Sequence, residues 1–546
     1  MSANIYIVKP NYLETSKESG IKRIPARAKE FLNDTYFEKY DNTTIFYDVF
    51  TVGRKIFLIG PPLLNFMPIL DTCTIFESNA RKGTKVKVYT EHRDRSQLSW
   101  IDIPDNIESV SQICFDLSPL QNGKKDYVLS VSLEDEINFN ELLKDSRALM
   151  TLQFDNALVW IQDWATFYNR IHQVDTVIIY DNGSSAYTVQ EIADTVSAVE
   201  GIKNICIIQW NFKYGPQGKP WGTDAPWDSD FCQIGALQDA RLRFLGNSVG
   251  MINADIDELF HPTESGIDIF QTLETSGLST LNVEGYNIEK NITSNMENEL
   301  DTVPRFYHFW EKKKSAVRGV CKWITKPSRW THAMNPTAHY IHNATYSPVK
   351  SFSIGHYYSI NTGWKVADRA ANIGKMDSEA LVSDACMLAS LIKAFPNKIS
   401  VESVSNELLK FHNRQLNDTP TFVTDKITER LEKLLFITEQ YVKWSKHWIW
   451  RNNVLVFEAY SENLGIVAFD IYPEKEKWTI NISVRGMQYF PILTRALSEI
   501  SKDIEILPNK KGYIFKAVTG TEENVILRKI ARLLISTCIK LDLAAN

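Results

Sequence analysis

The chain has 546 residues, with 60 Lys and Arg against 66 Asp and Glu, a formal charge of −6. Its apolar share of 44% and charged share of 23% exclude a disordered, collagenous or disulfide-stapled chain. The near-even charge argues against a dedicated nucleic-acid binder, which needs a broad basic face, and the length implies about three domains.

Residues 1–20 are polar and lack an apolar stretch of the kind a signal peptide needs, so none is expected. No apolar run approaches the roughly 20 residues that span a bilayer. The seven cysteines are widely spaced and form no CxxC, which suits a reducing compartment and excludes a zinc ribbon. The expected location is cytoplasmic, at most peripheral on the inner face of the membrane.

Residues 1–145 read as a β-rich accessory domain. Short apolar runs at 44–52, 55–59, 72–76, 85–89, 109–115 and 127–131 alternate with turn signals such as Gly60-Pro61-Pro62 and Gln121-Asn122-Gly123. That rhythm predicts a β-sandwich. Residues 146–395 change pattern. Predicted strands at 148–154, 177–180, 205–210 and 249–252 alternate with a helix carrying Trp160, Trp164, Phe167 and Ile171 on one face, a second carrying Val189, Ile192, Val196 and Val199, and a third around 230–245, which is a parallel α/β layer. In such a layer ligands bind beyond the carboxyl ends of the strands. Residues 360–445 read as mainly helical, with helices expected at 378–394 and 424–444, and 396–446 serves as a helical connector. Residues 447–546 read as a small α+β domain, with strands near 454–459, 465–471 and 478–484 and helices near 489–500 and 522–543. The last helix is expected to pack on those strands; contact with an anionic bilayer is its other use.

The sharpest chemical signal is Asn253-Ala254-Asp255-Ile256-Asp257-Glu258, directly after an apolar strand. In extended backbone, positions i and i+2 face the same side, so Asp255 and Asp257 would present two carboxylates to one point. Hard oxygen ligands suit Mg²⁺ or Mn²⁺. A solvated acidic turn would use the same residues. A second signal is Tyr180-Asp181-Asn182-Gly183-Ser184-Ser185, also at a strand end. Asp181 can accept hydrogen bonds from a ribose or base, Gly183 permits a tight turn and Ser185 can cap a helix; a plain Asn-Gly turn is the simpler use.

Together these pieces resemble the GT-A glycosyltransferases of families 2 and 92. The matching residues are Trp160, Val174-Asp175, Tyr180-Asp181-Asn182-Gly183-Ser184, Gln233 and Asp255-Ile256-Asp257-Glu258-Leu259. Lys322-Trp323-Ile324-Thr325-Lys326-Pro327 resembles the family's K-x-I-x-R-P segment, and Gly355-His356-Tyr357-Tyr358 followed by Lys365 its H-Y…K segment. The likeness covers about residues 147–390. It departs at Phe154-Asp155-Asn156, where the family commonly has Asn-Glu, and at Leu259-Phe260.

The resemblance implies a GT-A catalytic domain flanked by the β-sandwich and the α+β domain. It implies an inverting transferase moving a sugar from a nucleotide-diphosphate donor, UDP-linked, to a hydroxyl of a glycan or lipid-linked acceptor in surface polysaccharide assembly. Asp255 and Asp257 would hold Mn²⁺ or Mg²⁺, with His356 as third ligand or diphosphate contact. Thr151, Gln153, Asp155 and Asp181, with Gly183 and Gln233, would line the nucleoside site. Lys322, in the basic run from Lys312 to Arg329, would neutralise the diphosphate. The catalytic base would be Asp384, ahead of Glu284. The aromatic stretch 210–231 reads as a lid or acceptor platform, or else as a loop packing its own rings under the sheet. Two rival readings remain: a metal-dependent nucleotidyltransferase, for which 149–156 lacks the Gly-rich phosphate loop, and a non-catalytic carbohydrate-binding or scaffold protein.

Overall fold

The computed structural model describes residues 3–16, 19–32, 34–78, 80–93, 95–120, 127–133, 136–216, 228–263, 266–290, 303–363, 380–396 and 398–399, and five strands between 445 and 519. The chain divides into two compact units, Met1–His342 with Val349–Val404, and Asn343–Pro348 with Ser405–Asn546.

The first unit is built on a nine-stranded mixed sheet. Its elements in chain order are β1 (Asn4–Val8), β2 (Arg147–Gln153), α1 (Leu158–His172), β3 (Thr176–Asp181), α2 (Val189–Ser197), β4 (Asn204–Gln209), α3 (Phe231–Asp239), β5 (Gly250–Asn253), β6 (Glu258–Pro262), α4 (Ile269–Ser276), β7 (Thr280–Ile288), β8 (Val320–Thr325), β9 (Phe352–Tyr357) and α5 (Ala385–Ala394). The strand order is β1-β4-β3-β2-β5-β8-β7-β9-β6. From β1 to β5 every pairing is parallel; β8 then runs antiparallel to both β5 and β7. All six residues of β3 are buried, as expected for a parallel strand covered on both faces.

Local chemistry sets the helix ends. The helix α1 buries Trp160, Ile161, Trp164, Phe167, Tyr168 and Ile171 and stops where Gln173 turns left-handed at φ 57°. The helix α2 starts on a capping box, with Thr188 accepting from the Glu191 amide and Glu191 accepting from the Thr188 amide. Thr188, not Ser185, is therefore the cap, because Ser185 is spent on Asp155. The helix predicted at 230–245 appears as α3 followed by a π-helical turn, Ala240–Phe244. The helix expected to run from 378 starts only at Ala385. Leu381–Ser383 instead pairs as a strand with Glu311–Lys313, and Asp384 caps α5.

Strand β7 changes partner along its length. Thr280–Gly285 pairs with β8, while Gly285–Ile288 pairs with β9. Gly285 sits at the changeover, where a Cβ would lie 1.8 Å from the Ile354 carbonyl oxygen. The nearest atoms, the Ile354 carbonyl oxygen and carbon, are backbone and cannot turn aside. Gly285→Ala is expected to destabilise the unit by about 3 kcal/mol or more, read as a lowered midpoint in urea denaturation. An unchanged midpoint would contradict the tight approach.

The N-terminal region forms two four-stranded antiparallel sheets. One contains Asp48–Val52, Lys55–Gly60, Ser96–Asp102 and Tyr89–Arg93; the other contains Val128–Ser132, Gln112–Asp116, Thr74–Phe76 and Thr84–Lys85. Ile56, Leu58 and Ile101 from the first share one apolar core with Ile75, Ile113, Phe115 and Val131 from the second. Asn4–Val8 adds to the large sheet beside β4, and residues 1–342 fall in one compact unit. Buried charges join the same parts. Arg243 on the π turn pairs with Asp48, and Tyr180 on β3 donates to Asp239 at 2.7 Å. Burial, then Asp48, pushes the Asp239 carboxyl well above the usual carboxylate range.

The second unit contains a five-stranded antiparallel sheet in chain order: Ser445–Arg451, Val454–Ser461, Gly465–Tyr472, Lys477–Val484 and Ile514–Thr519. The helices expected at 424–444, 489–500 and 522–543 lie outside the described residues, as does nearly all of the 396–446 connector. Among the described residues no helix is long and apolar enough to cross a membrane.

Candidate active site

The central strand β5 ends at Asn253, and β6 begins at Glu258. Between them the chain makes a tight turn rather than continuing extended. The Glu258 amide donates to the Asp255 carbonyl at 3.0 Å, and the Asp255 amide donates back to the Glu258 carboxylate at 2.9 Å. Ile256 points into the core at 3% exposure and anchors the turn. The turn achieves what extended geometry was expected to do and adds a third group. Asp255, Asp257 and Glu258 each bring a carboxylate oxygen within 4.8 Å of the others.

Two kinds of counter-charge face this trio. The Lys322 ammonium, on β8, lies 3.0 Å from Asp255 Oδ2 and 3.2 Å from Glu258 Oε2. On the other side, His356 Nε2 is 3.2 Å from Asp257 Oδ2, and Asn361 donates to the same oxygen at 3.1 Å. Asn287 holds the opposite ring nitrogen of His356 at 3.0 Å. Burial pulls the His356 pKa down, but Asp257 beside it outweighs this and raises it above the ordinary value. Burial pushes the Glu258 carboxyl up to about 7, against the pull of Lys322 and with the push of Asp255 and Asp257.

A second polar cluster lies at the ends of β2 and β3. Gln153 donates to Ser184 Oγ at 3.1 Å and to Asp181, and accepts from the Tyr187 hydroxyl at 3.1 Å. Asp181 accepts from the Ser184 hydroxyl at 2.6 Å and its amide at 3.1 Å, closing the turn in which Gly183 takes φ 84°. Asp155, itself left-handed at φ 49°, accepts from the amides of Ser185 at 2.7 Å and Ala186 at 2.9 Å. Burial raises the Asp181 pKa, opposed by the Ser184 bonds. The expected rim residues Gln153, Asp155, Asp181 and Gly183 thus meet in one loop-clamping network.

Residues 151–421 match the model of glycosyltransferase family 92. This region is a family 92 glycosyltransferase domain. No curated protein gives a match. Among solved structures, core-mannan synthase A from Aspergillus fumigatus, in its Mn/GDP form, aligns at 10% identity over 31% of this chain and 50% of that chain, with a TM-score of 0.17. The chain thus spans about half the length of that structure, and a likeness of this size carries no argument.

The glycosyltransferase places the other expected residues variously. Thr151 is buried inside β2, below Gln153 on the same face. Gln233 lies in the first turn of α3 and accepts from the Tyr214 hydroxyl at 2.8 Å. Burial, then Asp230 and Asp255, raises the Tyr214 pKa well above its ordinary value. Glu284 pairs in register with Cys321, one position from the Val283–Lys322 pair, so alternation turns it to the opposite face from Lys322. Asp384 caps α5, accepting from the amides of Cys386 at 3.2 Å and Met387 at 3.1 Å, and pairs with Lys312 at 2.6 Å. Burial would raise its pKa, but Lys312 outweighs that and holds it below the usual carboxylate range.

Of the four clustered histidines, His356 reaches Asp257. His332 pairs with Glu91, His339 bonds the Cys321 carbonyl at 3.0 Å, and His342 packs edge-on against Tyr340. The basic run also disperses: Lys326 and Arg329 pair with Glu274, and Arg318 lies over the Tyr286 ring. In the aromatic stretch, Trp210, Phe212 and Tyr47 pack ring against ring, Asp228 pairs with Arg27, and Asp230 with Arg95. Trp221, Asp224, Trp227 and Lys365 lie outside the described residues. Site residues that sequence reasoning missed are Tyr187, Asn287 and Asn361, whose isolated positions carry no local signal, and Glu258, which was legible as the third acid of its motif.

Proposed function

We propose that the glycosyltransferase moves a sugar from a nucleotide-diphosphate donor, UDP-linked, to a hydroxyl of a glycan or lipid-linked acceptor, with inversion, in surface polysaccharide assembly. The observation that carries this reading is the acidic turn after β5, with three carboxylates within 4.8 Å at the carboxyl end of a central strand. That donor set fits a hard divalent cation, Mn²⁺ or Mg²⁺. When bound, the cation would neutralise charge on the departing diphosphate. Asp255 and Asp257 would hold it, and His356 with Asn361 orients the Asp257 carboxylate. Gln153, Asp155, Asp181 and Gly183 shape the loop against which the nucleoside rests, and Gln233 with Tyr214 backs the acidic turn.

Thermal-shift measurements with UDP- and GDP-sugars, with and without Mn²⁺, test this. One UDP-sugar should raise the Tm of the wild type only with Mn²⁺, and Asp257→Ala should lose the shift. If no nucleotide sugar at millimolar concentration stabilises the wild type, the donor assignment fails.

We assign Asp384 to structure rather than to proton transfer, because a carboxylate already bonded to two amides and a lysine is a weak proton acceptor. Asp384→Asn keeps a capping oxygen but leaves Lys312 without its partner. Stability should fall by about 2 kcal/mol while turnover per folded molecule stays within a few-fold. Loss of turnover with an unchanged Tm would restore it as the base.

A further inference from the structure

Lys322 does not sit where a diphosphate contact should. Its side chain is fully covered, at 0% exposure, although it projects from β8 toward the most acidic point of the sheet. The ammonium lies in contact with Asp255 and Glu258, two of the three carboxylates. Asp257 is answered separately, by His356 and Asn361. The trio is therefore split into a pair, Asp255 and Glu258, that already has a cation, and a third carboxylate, Asp257, with partners of its own; Asp255, at 26% side-chain exposure, is the most open of the three.

We propose that Lys322 is a built-in counter-ion, a positioning residue that holds Asp255 and Glu258 in place before any metal arrives and makes divalent-cation binding depend on the nucleotide. The inference rests on the metal reading above. Three ionised carboxylates would carry three negative charges; the buried ammonium cancels one of them at contact distance. A dication entering alone meets a weakened field and a nearby like charge in a medium that screens poorly. A nucleoside diphosphate brings two or more further negative charges to the open side, so the metal binds tightly only with its nucleotide. The lysine also removes the mutual repulsion that would otherwise spread the turn when no metal is present.

Mn²⁺ binding to the full chain, followed by loss of the free-ion electron paramagnetic resonance signal, tests this with no activity assay. In the wild type, Mn²⁺ alone should bind weakly, and saturating UDP or GDP should tighten it by about tenfold or more. Lys322→Met should bind Mn²⁺ alone about tenfold more tightly than wild type, with a smaller nucleotide effect. Its metal-free Tm should fall and Mn²⁺ should restore it. A folded Lys322→Met with wild-type Mn²⁺ affinity overturns the inference, since a merely structural lysine would move Tm but not metal affinity. Should Lys322→Met not fold, the wild-type comparison decides: equal Mn²⁺ affinity with and without UDP and GDP overturns the inference, and tightening supports it. Absence of Mn²⁺ binding in every condition overturns the metal reading and this inference together.

Discussion

Replacing Asp257 by Asn is expected to lower glycosyl transfer by about a thousandfold or more while leaving the fold intact. The Asp257 carboxylate is held by His356 and Asn361 rather than by Lys322, and its side chain is 14% exposed. An amide in its place still accepts from Asn361 but carries no charge, so it is a poor ligand for a hard dication. Losing one such group at the point where leaving-group charge develops is worth two to three orders of magnitude or more. The backbone of the turn should survive, because its bonds run between Asp255 and Glu258, and the Asp257 carbonyl accepts from the Tyr357 amide through main chain alone. Asp257→Asn should therefore melt within a few degrees of wild type. A folded variant that keeps more than about a tenth of wild-type turnover would remove Asp257 from the chemistry.

The parts legible in the sequence were those with local causes. Strand ends and the acidic turn follow from apolar runs broken by polar residues, and β2 to β5 lie within one or two residues of their expected positions. The Asp181–Ser184 turn followed from Asn-Gly chemistry. What stayed hidden depends on contacts distant along the chain. The pairing of Asn4–Val8 with β4 joins residues two hundred positions apart, and nothing in a five-residue apolar strand specifies its partner. Asp384 and Glu284 looked alike as isolated acids. Lys312, seventy-two positions away, makes one a structural cap, and the register of β7 turns the other to the far face. Lys322 was legible as functional by position, but only burial distinguishes a counter-ion to Asp255 and Glu258 from a diphosphate contact. The turn at Ile256 and Asp257 replaced an extended pair because the Glu258 side chain bonds back to the Asp255 amide, a closure that residue spacing does not reveal.

Stability should fall steeply in mild acid, and two buried histidines give the reason. His172, at the end of α1, holds the Phe260 carbonyl at 2.6 Å through Nε2, and its Nδ1 has no partner among the described residues. His261, on β6, bonds Ser390 Oγ at 2.6 Å through Nδ1 and the Tyr357 hydroxyl at 2.9 Å through Nε2. Ser390 donates to carbonyls of its own helix, so it accepts from Nδ1–H, and Nε2 must accept from Tyr357. Both rings are therefore neutral; a second proton would leave the His172 Nδ1–H without an acceptor among the described residues and would cost His261 the hydrogen bond that Tyr357 donates. Burial lowers the pKa of His172 to about 4 and of His261 to about 3. The unfolded chain takes up protons near pH 6.5 and the folded chain does not, so the stabilisation is complete above about pH 6.5 and is lost as pH falls toward 4. Each ring contributes a slope of about 1.4 kcal/mol per pH unit in that window, or roughly 3.5 kcal/mol per ring between pH 6.5 and 4. Glu258, raised to about 7, works in the opposite sense, as do Asp239, Asp181 and His356, whose pKa values are also raised, and each offsets part of the fall. His172→Gln keeps a donor for the Phe260 carbonyl but cannot titrate. Urea denaturation of this variant between pH 7.5 and 4.5 should show lower stability at the upper end and a slope shallower by about 1.4 kcal/mol per unit. A slope identical to wild type would mean that His172 already carries its proton in the folded core, which the unpartnered Nδ1 does not allow.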